Sequence, residues 1–278
     1  MQRRPRGPHL HDLVLRMWTR RGWLSAALIG AVPRERKEYR IDATIVILGV
    51  PVFKRSGVGG GWAEVEPRLG GRLLRFAAGS WPERTRGLNR MGFVEEHASE
   101  SGSTYFGFMT ASGEESFAEA KRALEAAGAK DSEYTAIAGE VRRGRAECRT
   151  ARFQFPAHYG WGNWRELYPL ANRAFADATA GSQASRETPR QASHSFLHTL
   201  TGLMLEGEGR RTRAFVYGNR EMTLTASTAR DGDRLRLDGR TQLGGKTLSA
   251  FRLWYRPGSP LPERVELQVK PFLRLTLT

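Results

Sequence analysis

From Tyr39 onward hydrophobic and polar positions alternate with a period of two over most of the chain. Tyr39, Ile41, Ala43, Ile45 and Ile47 alternate with Arg40, Asp42, Thr44 and Val46, the pattern of a half-buried strand, which Gly49-Val50-Pro51 interrupts. The stretch Ser56-Gly57-Val58-Gly59-Gly60-Gly61 reads as a turn or bulge in which glycine supplies positive φ. It lacks the Lys-Ser/Thr of a phosphate loop and opens no helix, so a dinucleotide site is excluded there. Further strands are expected over 62–66, 72–78, 103–111, 133–141 and 146–154.

The last third returns to the same period. Phe215/Tyr217, Met222/Leu224/Ala226, Leu235/Leu237, Phe251/Leu253/Tyr255, Val265/Leu267/Val269 and Leu273/Leu275/Leu277 alternate with polar partners, separated by Gly218-Asn219, Asp231-Gly232-Asp233, Gly244-Gly245 and Pro257-Gly258. This is an antiparallel meander with one buried face. Helical periodicity marks 114–128, where Phe117, Ala120, Leu124 and Ala127 share a face before Gly128, then 164–178 with Pro169 as a kink or a later start, and 193–205. The expected fold is therefore α+β and mainly β: a curved antiparallel sheet, an incomplete barrel, with two or three flanking helices. Residues 34–278 form one β-rich domain.

Charge and cysteine narrow the function. The 278 residues carry 44 Lys+Arg against 29 Asp+Glu, a net charge of +15. Ten of those bases and three acids fall in residues 1–40, so nearly half the excess lies in the first seventh of the chain. Elsewhere bases and acids are interspersed, as on a solvated surface. Cys148 is alone, which excludes an internal disulfide and a multi-cysteine metal site; flanking Arg145 and Arg149 favour a reactive thiol, but no base stands beside it in sequence. The run 22–32 is uncharged and apolar, too short to span a bilayer but suited to a secretory leader. Before it, Arg20-Arg21-Gly22-Trp23-Leu24 has the twin-arginine export pattern. Residues 1–33 are thus read as an export signal cleaved near Ala31, with Met17 as an alternative start, and the mature protein as periplasmic or secreted.

A strand broken at glycine, the helix Ser195-Phe196-Leu197-His198-Thr199-Leu200, and a closing meander through Phe251-Arg252-Leu253-Trp254-Tyr255, Leu261-Pro262-Glu263-Arg264-Val265-Glu266 and Leu273-Arg274-Leu275-Thr276-Leu277 follow this leader. The combination resembles the bacterial periplasmic families of unknown function that share a half-barrel with lipoprotein-carrier and sterol-carrier-like envelope proteins. The resemblance covers 193–278 and, more weakly, 39–80. It implies a secreted, non-enzymatic protein whose concave sheet holds an apolar or amphiphilic ligand, and it brings no catalytic residues.

Few constellations suggest chemistry. His194 and His198 lie four apart, hence on one helical face, but have no third ligand nearby and are read as solvent-facing. His158, Tyr159, Trp161 and Trp164, set around two glycines, suit a sugar or acyl contact, or else plug one end of a barrel. Trp81, Arg84 and Arg90 could receive an anion or a partner loop. Glu95-Glu96 and Glu114-Glu115 are adjacent and so diverge on a strand or helix. No serine-nucleophile frame, metal set or cofactor motif is present, and no enzyme signature survives. The expected role is an exported envelope protein that binds or scaffolds, with an amphiphilic small molecule or another envelope protein as partner, and membrane association only through an uncleaved N-terminus. An exported enzyme, or a cytosolic nucleic-acid binder using the basic N-terminal arm, is the alternative.

Overall fold

The computed structural model describes residues 34–47, 50–85, 89–110, 132–156 and 158–278. The leader and the helix expected over 114–128 lie outside them. The first eight strands are β1 (Glu35–Ile47), β2 (Val50–Arg68), β3 (Gly71–Ser80), β4 (Met91–Ser99), β5 (Gly102–Thr110), β6 (Ser132–Arg142), β7 (Arg145–Phe155) and β8 (Ser185–Glu187). The next six are β9 (Gly209–Tyr217), β10 (Arg220–Asp231), β11 (Arg234–Leu243), β12 (Lys246–Tyr255), β13 (Arg264–Lys270) and β14 (Leu273–Leu277). The two helices among the described residues are α1 (Trp164–Thr179) and α2 (Phe196–Leu205).

All fourteen strands among the described residues join one antiparallel sheet in the order β8-β7-β6-β5-β4-β3-β2-β1-β14-β13-β12-β11-β10-β9. It consists of two meanders joined where β1 pairs with β14, Ile41 opposite Leu277. The sheet is curved and not closed into a barrel, since β8 and β9 remain its two ends. They nevertheless come close: Asn219 Nδ2 donates to Ser185 Oγ at 2.7 Å, and the Tyr105 hydroxyl donates to the Gly218 carbonyl at 2.9 Å. The segment from β8 to α2 lies along this seam. The Glu221 carboxylate accepts from the Gln191 and Ala192 amides at 3.0 and 3.1 Å, and the Val216 amide donates to the His194 carbonyl at 3.0 Å.

Alternation along the strands gives the sheet two apolar faces. On the inner face Tyr39, Ile41, Val65, Leu74, Phe215, Leu224, Leu237, Phe251 and Leu253 surround α2, which contributes Leu203 and Met204, with Phe196, Leu197 and Leu200 packed around them. The helix is apolar on nearly every side, as an enclosed helix must be. It touches β9 and β10 from one end of the sheet and β4 from the other half, so the concave face, the expected seat of an apolar ligand, is occupied by the chain's own helix. On the opposite face α1 lays Leu167, Ala171 and Phe175, spaced four apart, over a row of aromatic residues on β4 to β6.

Four sequence expectations need correction. Of the two alternatives for residues 56–61, the bulge is present and the turn is not: the run lies inside β2, which is 19 residues long. Between the pairs Ile41–Gly59 and Ala43–Arg55 the ladder shifts, and only Gly57 of this run has positive φ, at 64°. The bulge folds over Asp42, whose carboxylate accepts from the Gly57 amide at 2.9 Å and lies 3.3 Å from Lys54 Nζ. Second, Pro169 does not mark a later start: α1 already begins at Trp164 and continues through it, the missing N–H falling in its second turn. Third, α2 starts at Phe196 rather than 193, because Ser195 is extended at φ −87°, ψ −175°. Finally, the histidines do not face solvent. Both are half-buried, with rings stacked at 3.9 Å, and His194 Nε2 lies 2.8 Å from the Ser99 carbonyl.

Candidate functional site

Gly60 of β2 pairs with Gly79 of β3, and both are extended. A side chain on either would collide with the Trp161 indole: a Cβ on Gly60 would fall 2.6 Å from its Nε1, and one on Gly79 would fall 2.7 Å from its Cβ. The two glycines therefore form a flat floor on which Trp161 rests, a use of glycine for close approach rather than for φ. Trp161 opens the short turn that leads into α1, and Asn163 holds that turn by accepting from the Gly160 amide at 2.9 Å and donating to the His158 carbonyl at 3.2 Å. Asn89 Nδ2 fastens the loop from the other side, donating to the Tyr159 carbonyl at 2.6 Å.

Beside this floor lies an open cleft of about 460 Å³, lined by Trp62, Trp81, Trp161 and Trp164 with Arg36, Glu38, Asn163 and Arg165 at its polar edges. The indoles of Trp62 and Trp164 are 5.0 Å apart and tilted, and Trp81 meets Trp161 edge-on at 6.5 Å. The Arg36 guanidinium lies 4.6 Å over the Trp62 ring, a cation–π contact, and is held there by Glu38 at 3.0 Å and Glu64 at 3.7 Å. Glu64 is itself buried, and Arg75 binds it at 2.9 Å and Glu95 at 2.6 Å, so an alternating acid–base row runs across β2, β3 and β4 beneath α1. Trp62 Nε1 is buried and has no hydrogen-bond partner among the described residues. Buried indole N–H groups ordinarily find an acceptor. This one is a donor enclosed behind the cleft wall.

Of the residues singled out from the sequence, Trp81, Trp161 and Trp164 line the cleft. His158 and Tyr159 belong to the loop behind it, stacked on one another at 4.3 Å, with Tyr159 also against Phe155. Arg84 is exposed and donates to the Gly57 carbonyl at 3.3 Å, whereas Arg90 sits in the strand-end pairing with Ser80. Neither lines the cleft. Trp62, Arg36 and Asn163 were not foreseen. Arg36 meets Trp62 only through the β1–β2 register and Trp62 meets Trp164 only through the packing of α1, although the unusual glycine run beside Trp62 was a signal that something packs closely there.

A second polar cluster lies on the inner face. Glu96 is 1% exposed, and its carboxylate accepts from the Ser103 hydroxyl at 2.7 Å and from the His198 amide, in the first turn of α2, at 3.2 Å. A strand thus caps a helix whose own first-turn amides lack partners. Burial raises the Glu96 pKa against the pull of these donors. Burial, followed by the nearby charges of His194 and Arg72, pushes His198 down to about 4. Glu95 points to the other face, so the adjacent pair diverges as its strand position requires. Cys148 is buried, and desolvation pushes its thiol pKa up, which removes the reactive-thiolate reading.

No protein-family model and no curated protein matches the chain. Among solved structures it is similar to a β-barrel-like protein of Domain of Unknown Function DUF1849 from Brucella abortus, at 11% sequence identity over 90% of this chain and 97% of that one, with a TM-score of 0.35.

Proposed function

We propose that this is an exported envelope protein with a binding role rather than a catalytic one, and that its ligand sits in the tryptophan cleft on the outer face of the sheet. The observation that carries this reading is the cleft wall itself: four indoles beside a fixed guanidinium. Such a wall suits an amphiphilic molecule. A flat apolar or ring-bearing part would cover the indole faces that line the cleft while a polar head reaches Arg36, Asn163 or Arg165. The concave face offers less, since α2 fills the part around which the core is built. Export is supported by the twin-arginine and apolar pattern of residues 20–32, followed by a β-rich unit that begins at Glu35.

The test is native mass spectrometry of the mature protein from its host, with Trp62→Phe and Trp164→Ala alongside. The expected result is a terminus near Val32–Glu35 and a bound small molecule that both variants release. Trp62→Phe keeps an aromatic ring but thins the wall beside Arg36, and Trp164→Ala removes the facing indole. A terminus at Met1 or Met17 would overturn export. An adduct retained by both variants, or no binding to any amphiphile in titrations followed by tryptophan emission, would overturn the cleft assignment.

A further inference from the structure

At one end of the sheet the β1–β2 hairpin carries its apolar residues into solvent. Val50, Val52 and Phe53 are 60, 55 and 59% exposed, and Ile47 is exposed beside them. Residues 52 and 53 point to opposite faces of a strand, so both faces of this hairpin are bare and the core ends below it. The β13–β14 and β11–β12 turns lie at the same end, because the strands between them alternate in direction. Phe53, Ile45, Leu273 and Lys270 are successive partners across β2, β1, β14 and β13. Val269 and Leu248 add further exposed apolar side chains from these neighbouring hairpins.

The ends of these three neighbouring hairpins are rich in basic residues, of which Lys54 is paired with Asp42 at 3.3 Å. Residues 43–55, 239–250 and 267–278 contain Lys54, Arg55, Arg240, Lys246, Lys270 and Arg274 and no acidic residue. Elsewhere in the domain bases are interleaved with acids and paired with them, as in the rows Arg236–Asp238–Arg252 and Arg256–Glu263–Arg234. An apolar projection within a basic field is complementary to one kind of surface: an apolar layer beneath anionic headgroups. A nucleic acid would match the charge but not the bare Val50, Val52 and Phe53.

We propose that this hairpin end is a membrane-docking surface, in which Ile47, Val50, Val52 and Phe53 enter the interface of an anionic phospholipid bilayer and the surrounding Lys and Arg bind the headgroups. The site is separate from the tryptophan cleft and stands or falls independently of it. It also places membrane contact in the β-rich domain rather than in residues 1–33.

The experiment is vesicle flotation of the full chain with phosphatidylcholine alone and with about one third phosphatidylglycerol, the anionic fraction supplying the surface potential. Binding is expected only to the anionic vesicles, weakening as salt is added. The double variant V52D/F53D should lose at least about tenfold in partitioning, the apolar contribution being removed and two like charges added. Arg55→Gln and Lys270→Gln should each lose about fivefold, near the 1 kcal/mol expected for each basic residue at such a surface. All these side chains lie outside the core, and an unchanged melting temperature would show that the variants remain folded. An environment-sensitive fluorophore on Val52→Cys, with Cys148 buried and protected, should shift to the blue on anionic vesicles. Binding that survives V52D/F53D would assign the contact to another part of the chain and overturn the proposal. Absence of vesicle binding together with tip-dependent self-association would overturn it in favour of a second copy.

Discussion

Replacing Glu96 by alanine tests whether a strand holds the enclosed helix in place. Glu96 is 1% exposed and sits between Ser103 of β5 and the first turn of α2. In the native protein its hydrogen bonds largely offset the several kcal/mol needed to desolvate a carboxylate. Truncation removes the acceptor but leaves the donors: the Ser103 hydroxyl and the His198 amide stay buried, at about 1–2 kcal/mol each. The void left by the side chain adds about 1 kcal/mol. The expected loss is therefore about 3–5 kcal/mol, a large part of the 5–15 kcal/mol typical of a domain. At about 2–4 °C per kcal/mol for a domain of this size, the melting temperature should fall by about 8–15 °C in calorimetry. Glu96→Gln, which keeps one acceptor oxygen, should lose less than half as much. Hydrogen exchange should show the added opening concentrated in the amides of α2. A melting temperature within about 2 °C of wild type, or faster exchange spread evenly over the sheet, would refute the claim that this carboxylate anchors the helix.

Two further outcomes follow from the same geometry. Gly79→Ala should displace Trp161 from its floor, lowering stability by about 1–3 kcal/mol and shifting tryptophan emission to the red, whereas Gly92→Ala, whose new Cβ would approach nothing nearer than 3.8 Å, should do neither. Acid should destabilise the fold through His198. Its folded pKa of about 4 lies below the ordinary value of 6.5, so the unfolded chain takes up a proton first and stability is lost as pH falls through that window. With part of the ring open to solvent the loss is about 1–2 kcal/mol, and His198→Gln should flatten the melting-temperature profile between pH 6.5 and 4. The raised pKa of Glu96 acts in the opposite sense, favouring the fold on its acid side, and Glu96→Gln would remove that contribution. A variant profile that overlays the wild type would assign the acid sensitivity elsewhere.

What the sequence disclosed depended on whether a strand has one apolar face. Strands β9 to β14 alternate cleanly and were legible, as were β3 and β5 to β7. Strand β4 was hidden because both of its faces are buried in part: Phe93 serves one, and the charged Glu96 takes an interior place on the other, which breaks the apolar count. Strand β8 has three exposed residues and no pattern to read. The glycine run at 56–61 reads as a turn or bulge, and the bulge is there at Gly57, but the flat strand at 59–61 is set by the close packing of Trp161, which no local pattern shows. Half of the cleft was visible as a local density of aromatics at 159–164. Its other wall, Trp62 and Arg36, could be found only by pairing β1 with β2 in register. The enclosure of α2 was foreshadowed by apolar residues on several of its sides, but nothing local shows that the sheet curls far enough to surround it.

The pairing of β1 with β14 has a consequence for assembly. Arg40 and Thr278 exchange backbone hydrogen bonds of 2.8 and 3.0 Å, although they lie at opposite ends of the β-rich unit. Every other ladder joins strands adjacent in the chain order, so each meander can zip locally while the middle of the sheet waits for the most distant contact in the molecule. The closure entropy of that loop grows only slowly with its length, but the rate of finding it is set by the search. Each meander carries an unpaired central edge until then, and with it the hazard of pairing with another chain. Connecting residue 278 to residue 35 and opening the chain at the seam would make all thirteen ladders sequential, converting the slowest encounter into a hairpin.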